Sequence, residues 1–165
     1  MADLINFEHT EAVLREYAEQ SAQYYKQKLE ESGRRASRAL INSVHAEVVK
    51  DGSVIAVDMH LEDYWQYVEY DTRPHWPPKG SLLQWIELKP IIPSPDRNGR
   101  IPTPEQLDFL IRRKIAREGT EGTHDLYGTI EELNAVYEER IIEAVAADVG
   151  SMADAIIQSF AGRMA

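Results

Sequence analysis

At 165 residues, 43% apolar and 28% charged, the chain has the composition of one globular domain able to bury a core. A net charge of −10 repels phosphate and argues against a nucleic-acid reader. The lack of cysteine excludes disulfides and thiolate metal sites and fits a reducing cytoplasm. No run approaches the ~18–20 apolar residues of a membrane span, and the opening Met-Ala-Asp-Leu-Ile-Asn-Phe-Glu-His lacks the basic-then-apolar pattern of a signal peptide.

Residues 8–31 predict a long helix. Leu14, Ala18, Ala22, Tyr25 and Leu29 keep the 3.6-residue period. Glu8, Glu11 and Glu16 fall early and Lys26 and Lys28 late, as the helix dipole prefers. Gly33 is the expected stop. From Leu40 to Val49 the period changes to two, with Val44, Ala46 and Val48 alternating against His45 and Glu47. Asp51-Gly52 is a favoured hairpin turn, and Ile55, Val57, Met59 and Leu61 share one face of the returning strand. Two strands alone are marginal in water, so the hairpin needs a helix over one face or further strands.

Residues 64–85 concentrate all three tryptophans of the chain with three tyrosines and three prolines. Tyr64, Tyr67 and Val68 stand at i, i+3 and i+4, one stripe of a short helix, with Glu62 and Asp63 at its acidic start. Asp71-Thr72 ends the pattern, Pro74 pushes Arg73 into an extended conformation, and Pro77-Pro78 stiffen the chain. Ser81-x-x-Gln84 reads as a capping box for a second helix carrying Leu82, Leu83, Trp85 and Ile86, stopped by Pro90. Trp65 and Trp85 can each be a core anchor or a contact residue. The tip from Arg73 to Lys79 reads as a preorganised contact loop, because rigid aromatic loops bind at low entropic cost.

Residues 90–103 hold four prolines and an Asn-Gly, an irregular loop long enough to be mobile or buried in a partner. Ile91, Ile92 and Ile101 favour packing. Thr103-Pro104-x-Gln106 is a complete helix start. That helix carries Leu107, Leu110, Ile111 and Ile115 on one face and Arg112, Arg113, Lys114 and Arg117 on the other, and ends near Gly119. The basic residues either compensate the helix dipole or form a docking face for an acidic partner or the acidic helices of a neighbouring copy. Gly119-Thr-Glu-Gly-Thr-His124 is not a phosphate loop: that motif needs a lysine after the last glycine and a preceding strand, whereas Thr123 and a helix stand there. His124 reads as a turn cap or bridge.

Thr129-x-x-Glu132 predicts the start of a last helix over 129–163. Its apolar positions are Ile130, Leu133, Tyr137, Ile141, Ala144, Val145, Val149, Met152, Ile156 and Phe160. Some 30 residues at 1.5 Å each make roughly 45–50 Å, against a radius of gyration of ~15 Å for a compact chain of this size. The helix therefore bends near Gly150-Ser151 or lays its end on another subunit, since Met152, Ile156 and Phe160 would otherwise form an exposed apolar patch.

Catalytic signatures are sparse. His45 and His60 sit on facing strands and, with Asp58 or Glu47, could form a metal site, but paired strand histidines are mostly surface residues. There is no His-Glu-x-x-His and no Gly-x-Ser-x-Gly. His75, between Pro74 and Trp76, reads as a stacking or hydrogen-bonding group.

The run Tyr67-Val-Glu-Tyr-Asp-Thr-Arg-Pro-His-Trp-Pro-Pro78, followed by Leu83-x-x-Ile86 around Trp85, resembles a motif of small tailed-phage virion proteins: minor tail, neck or tail-completion proteins. Ile115-Ala-Arg-Glu-Gly-Thr-Glu-Gly-Thr-His124 resembles the same family's second signature. Together they cover roughly residues 60–125. The chain departs from the family at Asp71, commonly glycine, and at Asp125-Leu126, where aromatic residues often follow the histidine. Asp tolerates the left-handed φ that such a glycine would supply.

The elements predict a single α+β domain: a long N-terminal helix, a small antiparallel sheet built on the hairpin, a helical insertion and a long C-terminal helix. The resemblance implies a non-enzymatic structural protein without cofactor or metal, one copy in a ring of the phage neck or proximal tail. Its partners would be its own copies and other neck, portal-proximal and tail proteins, with DNA crossing the channel unbound and no membrane involved. Assembly would take place in the host cytoplasm and the product would reside in the virion. The expected partner-interface residues are Tyr67, Glu69, Asp71, Thr72, Arg73, Pro74, His75, Trp76, Pro77, Pro78, Ile91, Ile92, Arg112, Arg113, Met152, Ile156 and Phe160. The competing classes are a small metal-dependent hydrolase and a tail-assembly chaperone absent from the finished particle.

Overall fold

The computed structural model describes residues 7–33, 38–52, 54–89, 91, 93–95 and 97–162. The fold is α+β, with the element order α1 (Glu8–Glu31), α2 (Ala39–Ser43), β1 (His45–Asp51), β2 (Val54–His60), α3 (Trp65–Glu69), α4 (Leu83–Leu88), α5 (Pro104–Glu118) and α6 (Asp125–Ala161). Among the described residues the sheet has two strands, and no helix is long and apolar enough to cross a membrane. The chain groups into two compact units.

Unit 1 comprises residues 1–25, 45–60 and 127–165. Helix α1 forms where its period predicts, and Ala18, Ala22 and Tyr25 are buried. Facing residues of α6 are Leu133, Tyr137 and Ala144, also buried. Tyr17 meets Tyr137 edge-on at 5.4 Å between ring centroids, the T-shaped arrangement that the ring quadrupoles favour. The Tyr17 hydroxyl donates to Asn134 Oδ1 at 2.9 Å.

The hairpin pairs His45 with His60 through to Asp51 with Val54. Asp51 is thus the last paired residue of β1, and the connection begins at Gly52, one residue later than the expected Asp51-Gly52 turn. Gly52 takes the positive φ, 58°, that a tight hairpin turn requires. Leu40–Ser43, expected to open the first strand, instead forms helix α2 in unit 2. There Tyr64 Oη accepts from Leu40 N–H at 2.9 Å and the Ser43 hydroxyl donates to Leu40 O at 2.9 Å. Tertiary partners for backbone groups override the local β preference.

Unit 2 comprises residues 26–44 and 61–126. Leu29, Leu40, Val44 and Ile86 are its buried apolar residues. Helix α1 ends within it at Gly33, φ 63°, the left-handed C-terminal stop. Helix α5 opens as predicted: Thr103 Oγ1 accepts from Gln106 N–H at 3.3 Å and Gln106 Oε1 accepts from Thr103 N–H at 3.0 Å. The expected Ser81–Gln84 box does not form, and α4 has no capping side chain of its own. Asp108 of α5 accepts from Gly80 N–H and Leu82 N–H at 3.2 and 3.3 Å instead.

That substitution recurs. Among the described residues, three carboxylates are buried to 4% exposure or less: Glu69, Asp108 and Asp148. Each serves backbone N–H groups at the start of a helix other than its own. In unit 1, Asp148 of α6 accepts from His9 N–H (3.0 Å) and Thr10 N–H (2.8 Å) in the first turn of α1. In unit 2, Glu69 of α3 accepts from Leu126 N–H at the start of α6, 2.9 Å away. A carboxylate against free N–H groups at the positive end of a helix is stabilised by charge-assisted hydrogen bonds.

The Glu69 cap also explains why α6 begins at Asp125, four residues before the predicted Thr129. Thr129 lies inside the helix, fully buried. From Asp125, α6 runs 37 residues without a break, about 55 Å at 1.5 Å per residue. Gly150 lies inside it with helical backbone.

Candidate functional site

The two signature stretches lie against each other in unit 2. Thr72 and Thr120 form an antiparallel bridge, with Thr72 N–H donating to Thr120 O at 2.8 Å and Thr120 N–H to Thr72 O at 3.2 Å. Their hydroxyls meet at 2.7 Å. Thr123 N–H donates to Val68 O and His124 N–H to Glu69 O, at 2.9 and 3.1 Å. Asp71 Oδ1 accepts from Gly122 N–H at 2.8 Å and lies 3.4 Å from His124 Nε2.

Both glycines of the second stretch are dictated by this contact. A Cβ on Gly122 would overlap Glu69 O and come within 2.6 Å of the Tyr70 carbonyl carbon; a Cβ on Gly119 would overlap Thr72 O, and Gly119 also holds φ 76°. The close backbone approach between the two stretches is thus made by these glycines. Asp71 is not at positive φ and needs no glycine. His124 takes φ 56° and bridges to Asp71, as expected of a turn-bridging group.

These contacts place several expected interface residues in the fold's own framework. Glu69 is a buried cap, 1% exposed. Thr72 is bonded to Thr120 through backbone and side chain. Pro77 is buried, and its carbonyl accepts from Arg112 Nε at 2.8 Å. Arg112 is therefore a clamp on the proline loop rather than part of an outward basic face, with Asp108 3.5 Å from its Nη1. Leu110, expected on the inner stripe of α5, is 40% exposed. The α3 stripe also differs from expectation: Tyr67 is 72% exposed, and the inward residues are Trp65, Val68 and Glu69.

Arg73, Pro74, His75, Trp76 and Pro78 are exposed. The His75 ring is hydrogen-bonded to Arg73 O through Nδ1 at 2.8 Å. Trp76 lies 6.3 Å from Phe109, the Arg112 guanidinium 5.7 Å from the Trp76 ring centre, and Arg113 6.0 Å from that of Phe109. The result is an alternating aromatic and cationic shelf. Phe109 escaped sequence reasoning; the available signal was its place off the Leu107–Ile111–Ile115 row. Ile91 is half-buried, Ile101 is exposed, and Ile92 and Pro90 lie outside the described residues.

Beside the bridge lies a groove of about 750 Å³. Tyr67 and Val68 of α3, Leu82, Trp85 and Lys89 around α4, and Ile111, Lys114 and Ile115 of α5 line it, with the Glu118–Glu121 turn at one end. Lys89 Nζ sits 5.0 Å above the Trp85 ring. Glu118 is paired with Arg117 and, at 3.9 Å, with Lys114.

In unit 1 the accessible chemistry is on α6. Its buried row is Leu133, Tyr137, Ala144 and Asp148. A second apolar row, Ile142, Val145, Val149, Ile156 and Phe160, is between 37% and 61% exposed. At 100° per residue the two rows lie about 125° apart around the helix. The single stripe expected from sequence is thus two, and only the first is used within the unit. Ile157 is 65% exposed and Met152 half-buried.

The hairpin brings its histidines together: the His45 and His60 rings stack at 4.4 Å and 6°, and His60 Nε2 is 3.0 Å from Glu47 Oε1. Among the described residues no group of three or more His, Asp or Glu is placed to hold a metal ion.

Asp148 is the group whose titration shifts most clearly. Burial would raise its pKa, but hydrogen bonds from the hydroxyl and N–H of Thr10 and the ring and N–H of His9 outweigh burial and lower it from 3.8 to about 2. The hydroxyl of Thr10 lies 2.6 Å and His9 Nδ1 2.7 Å from the carboxylate.

Comparison with protein families, with curated proteins and with solved structures finds no match to this chain.

Proposed function

We propose that this chain is a structural, non-enzymatic building block that joins copies of itself into a ring of a tailed-phage neck or proximal tail. The observation that carries the reading is the second apolar row of α6, from Ile142 to Phe160, which stands in solvent over five turns of helix. Exposed apolar surface on that scale marks an interaction site. The resemblance of the 67–78 and 115–124 stretches to tail-completion and neck proteins supplies the setting. Their mutual contact supports it, since two signatures that form one folded unit are expected to occur together.

Charge supports the ring's relation to DNA. Unit 1 holds 15 Asp and Glu against 4 Lys and Arg, so its share of the charge is −11. Multiplied around a ring and turned to the lumen, that surface repels phosphate and lets DNA pass without sticking. A lumen lined by Arg and Lys would overturn this part.

The test is light scattering of purified protein together with mass spectrometry of purified particles. Closed oligomers in solution and the chain within virions are expected. A chain that stays monomeric at every concentration sinks the proposal; oligomers without any chain in particles would make it an assembly chaperone.

A further inference from the structure

We propose that the end of α6, Val149 to Phe160, docks in the groove of unit 2 on a second copy, against Trp85 and the α5 face beside Lys114. This rests on the reading that copies of the chain assemble with one another.

Three observations select this occupant. First, symmetry: contacts between identical patches close into pairs, whereas a ring of more than two copies needs two different surfaces that fit each other. The α6 row and the groove are two such surfaces, one projecting and one concave. Second, shape: Val149, Met152, Ile156 and Phe160 follow at steps of three and four, the anchor spacing with which a helix fills an apolar groove. The groove's 750 Å³ and its floor of Val68, Leu82, Trp85, Ile111 and Ile115 suit such anchors.

Third, charge: the docking segment Val149 to Phe160 carries Asp154 and no base, and the last turn of α6 has no basic residue. The negative end of its dipole is therefore unmatched within the helix. The groove is lined by Lys89 and Lys114 together with Glu118 and Glu121, so the attraction comes from the unit as a whole rather than from the groove wall. Unit 2 as a whole holds 14 Lys and Arg against 13 Asp and Glu, so it attracts an acidic neighbour that a second unit 1 would repel.

Because the chain has no cysteine, single cysteines report the contact directly. Ile156→Cys protein is mixed with Tyr67→Cys protein under mild oxidation, both sites being exposed enough to tolerate the change. The mixed disulfide should exceed either homodimer at least about tenfold. Phe160→Asp should weaken assembly about 10–100-fold, the equivalent of losing one buried aromatic anchor, with an unchanged thermal unfolding curve. Lys114→Glu should weaken it too, and Asp154→Lys should restore part of that loss. Dominant Ile156→Cys homodimers would show α6 pairing with α6 and overturn the proposal. So would a disulfide formed only within one chain carrying both cysteines, or assembly unaffected by Phe160→Asp. Assembly without the mixed disulfide removes this contact but leaves the ring; no assembly at all removes both.

Discussion

Unit 2 carries nearly balanced charge, 14 basic against 13 acidic residues, whereas unit 1 carries 4 against 15. Their apolar residues differ in the same way. In unit 2 the aromatic and proline-rich stretch is tied down through Thr72, Pro77 and the Glu69 cap. In unit 1 a full row of α6 is left in water. An acidic unit with a free apolar row cannot settle on its own kind without bringing like charges together, but it can settle on a near-neutral unit that has a groove. The proposed contact between copies follows from that difference, and substitutions in the fixed unit and in the free one test its two sides.

The largest effect is expected at the bridge. Gly119→Ala and Gly122→Ala each drive a methyl group into backbone that cannot move aside as a side chain could. Each should cost at least about 4 kcal/mol, in the range where a special backbone position is broken, and Gly119→Ala adds the strain of positive φ. Urea unfolding read by tryptophan fluorescence follows unit 2 specifically, because all three tryptophans lie there. A loss under 1 kcal/mol would mean that the two stretches are not locked together. Next in size is Glu69→Ala, which leaves Leu126 N–H without its carboxylate at a buried position; about 2–3 kcal/mol should be lost.

How much of this could be read from the chain depends on sequence distance. Helix α1, the hairpin and the α5 start were legible because their signals are local: a 3.6-residue period, an alternation beside a turn, a four-residue box. The three buried carboxylates were not. Glu69 meets Leu126 57 positions away, and Asp148 meets Thr10 138 positions away, and no window of sequence contains both partners. That is why Glu69 read as an interface residue and Arg112 as one of a basic row that either compensates the helix dipole or docks a partner. The glycines of the 119–124 stretch stood out as a motif, but their cause, the 69–73 backbone, lies some fifty positions earlier. Exposure on α6 was half legible: the period was visible, but Asp148 hides the switch from one row to the other, since a buried acid occupies an inward position.

Asp148 provides the middle-sized effect, in unit 1. Asp148→Ala removes the cap of α1 and should cost about 1–2 kcal/mol. The wild-type carboxyl also makes stability depend on acid in a defined direction. Its pKa is lowered on folding, from 3.8 to about 2, so its contribution is complete above pH ~4 and is lost as pH falls through about 2. Helicity of wild type should therefore drop in that window, and Asp148→Ala should show a shallower drop there. Equal acid profiles for the two proteins would show that the cap is not formed.

The smallest effect is at Gly150, and it has the opposite sign. A methyl group there meets nothing within 4 Å, and the residue is helical. Glycine in a helix interior costs roughly 0.5–1 kcal/mol relative to alanine, so Gly150→Ala should stabilise the last turns of α6 by about that amount, seen as slower amide exchange from Ser151 onward. The substitution also decides what the glycine is for. If α6 docks as the continuous helix it forms in the free chain, stiffening it lowers the ordering cost of binding and assembly should strengthen slightly. If assembly instead falls while helicity rises, the helix must bend at Gly150 to reach its neighbour, and the free helix would then be the unbound form of a hinge.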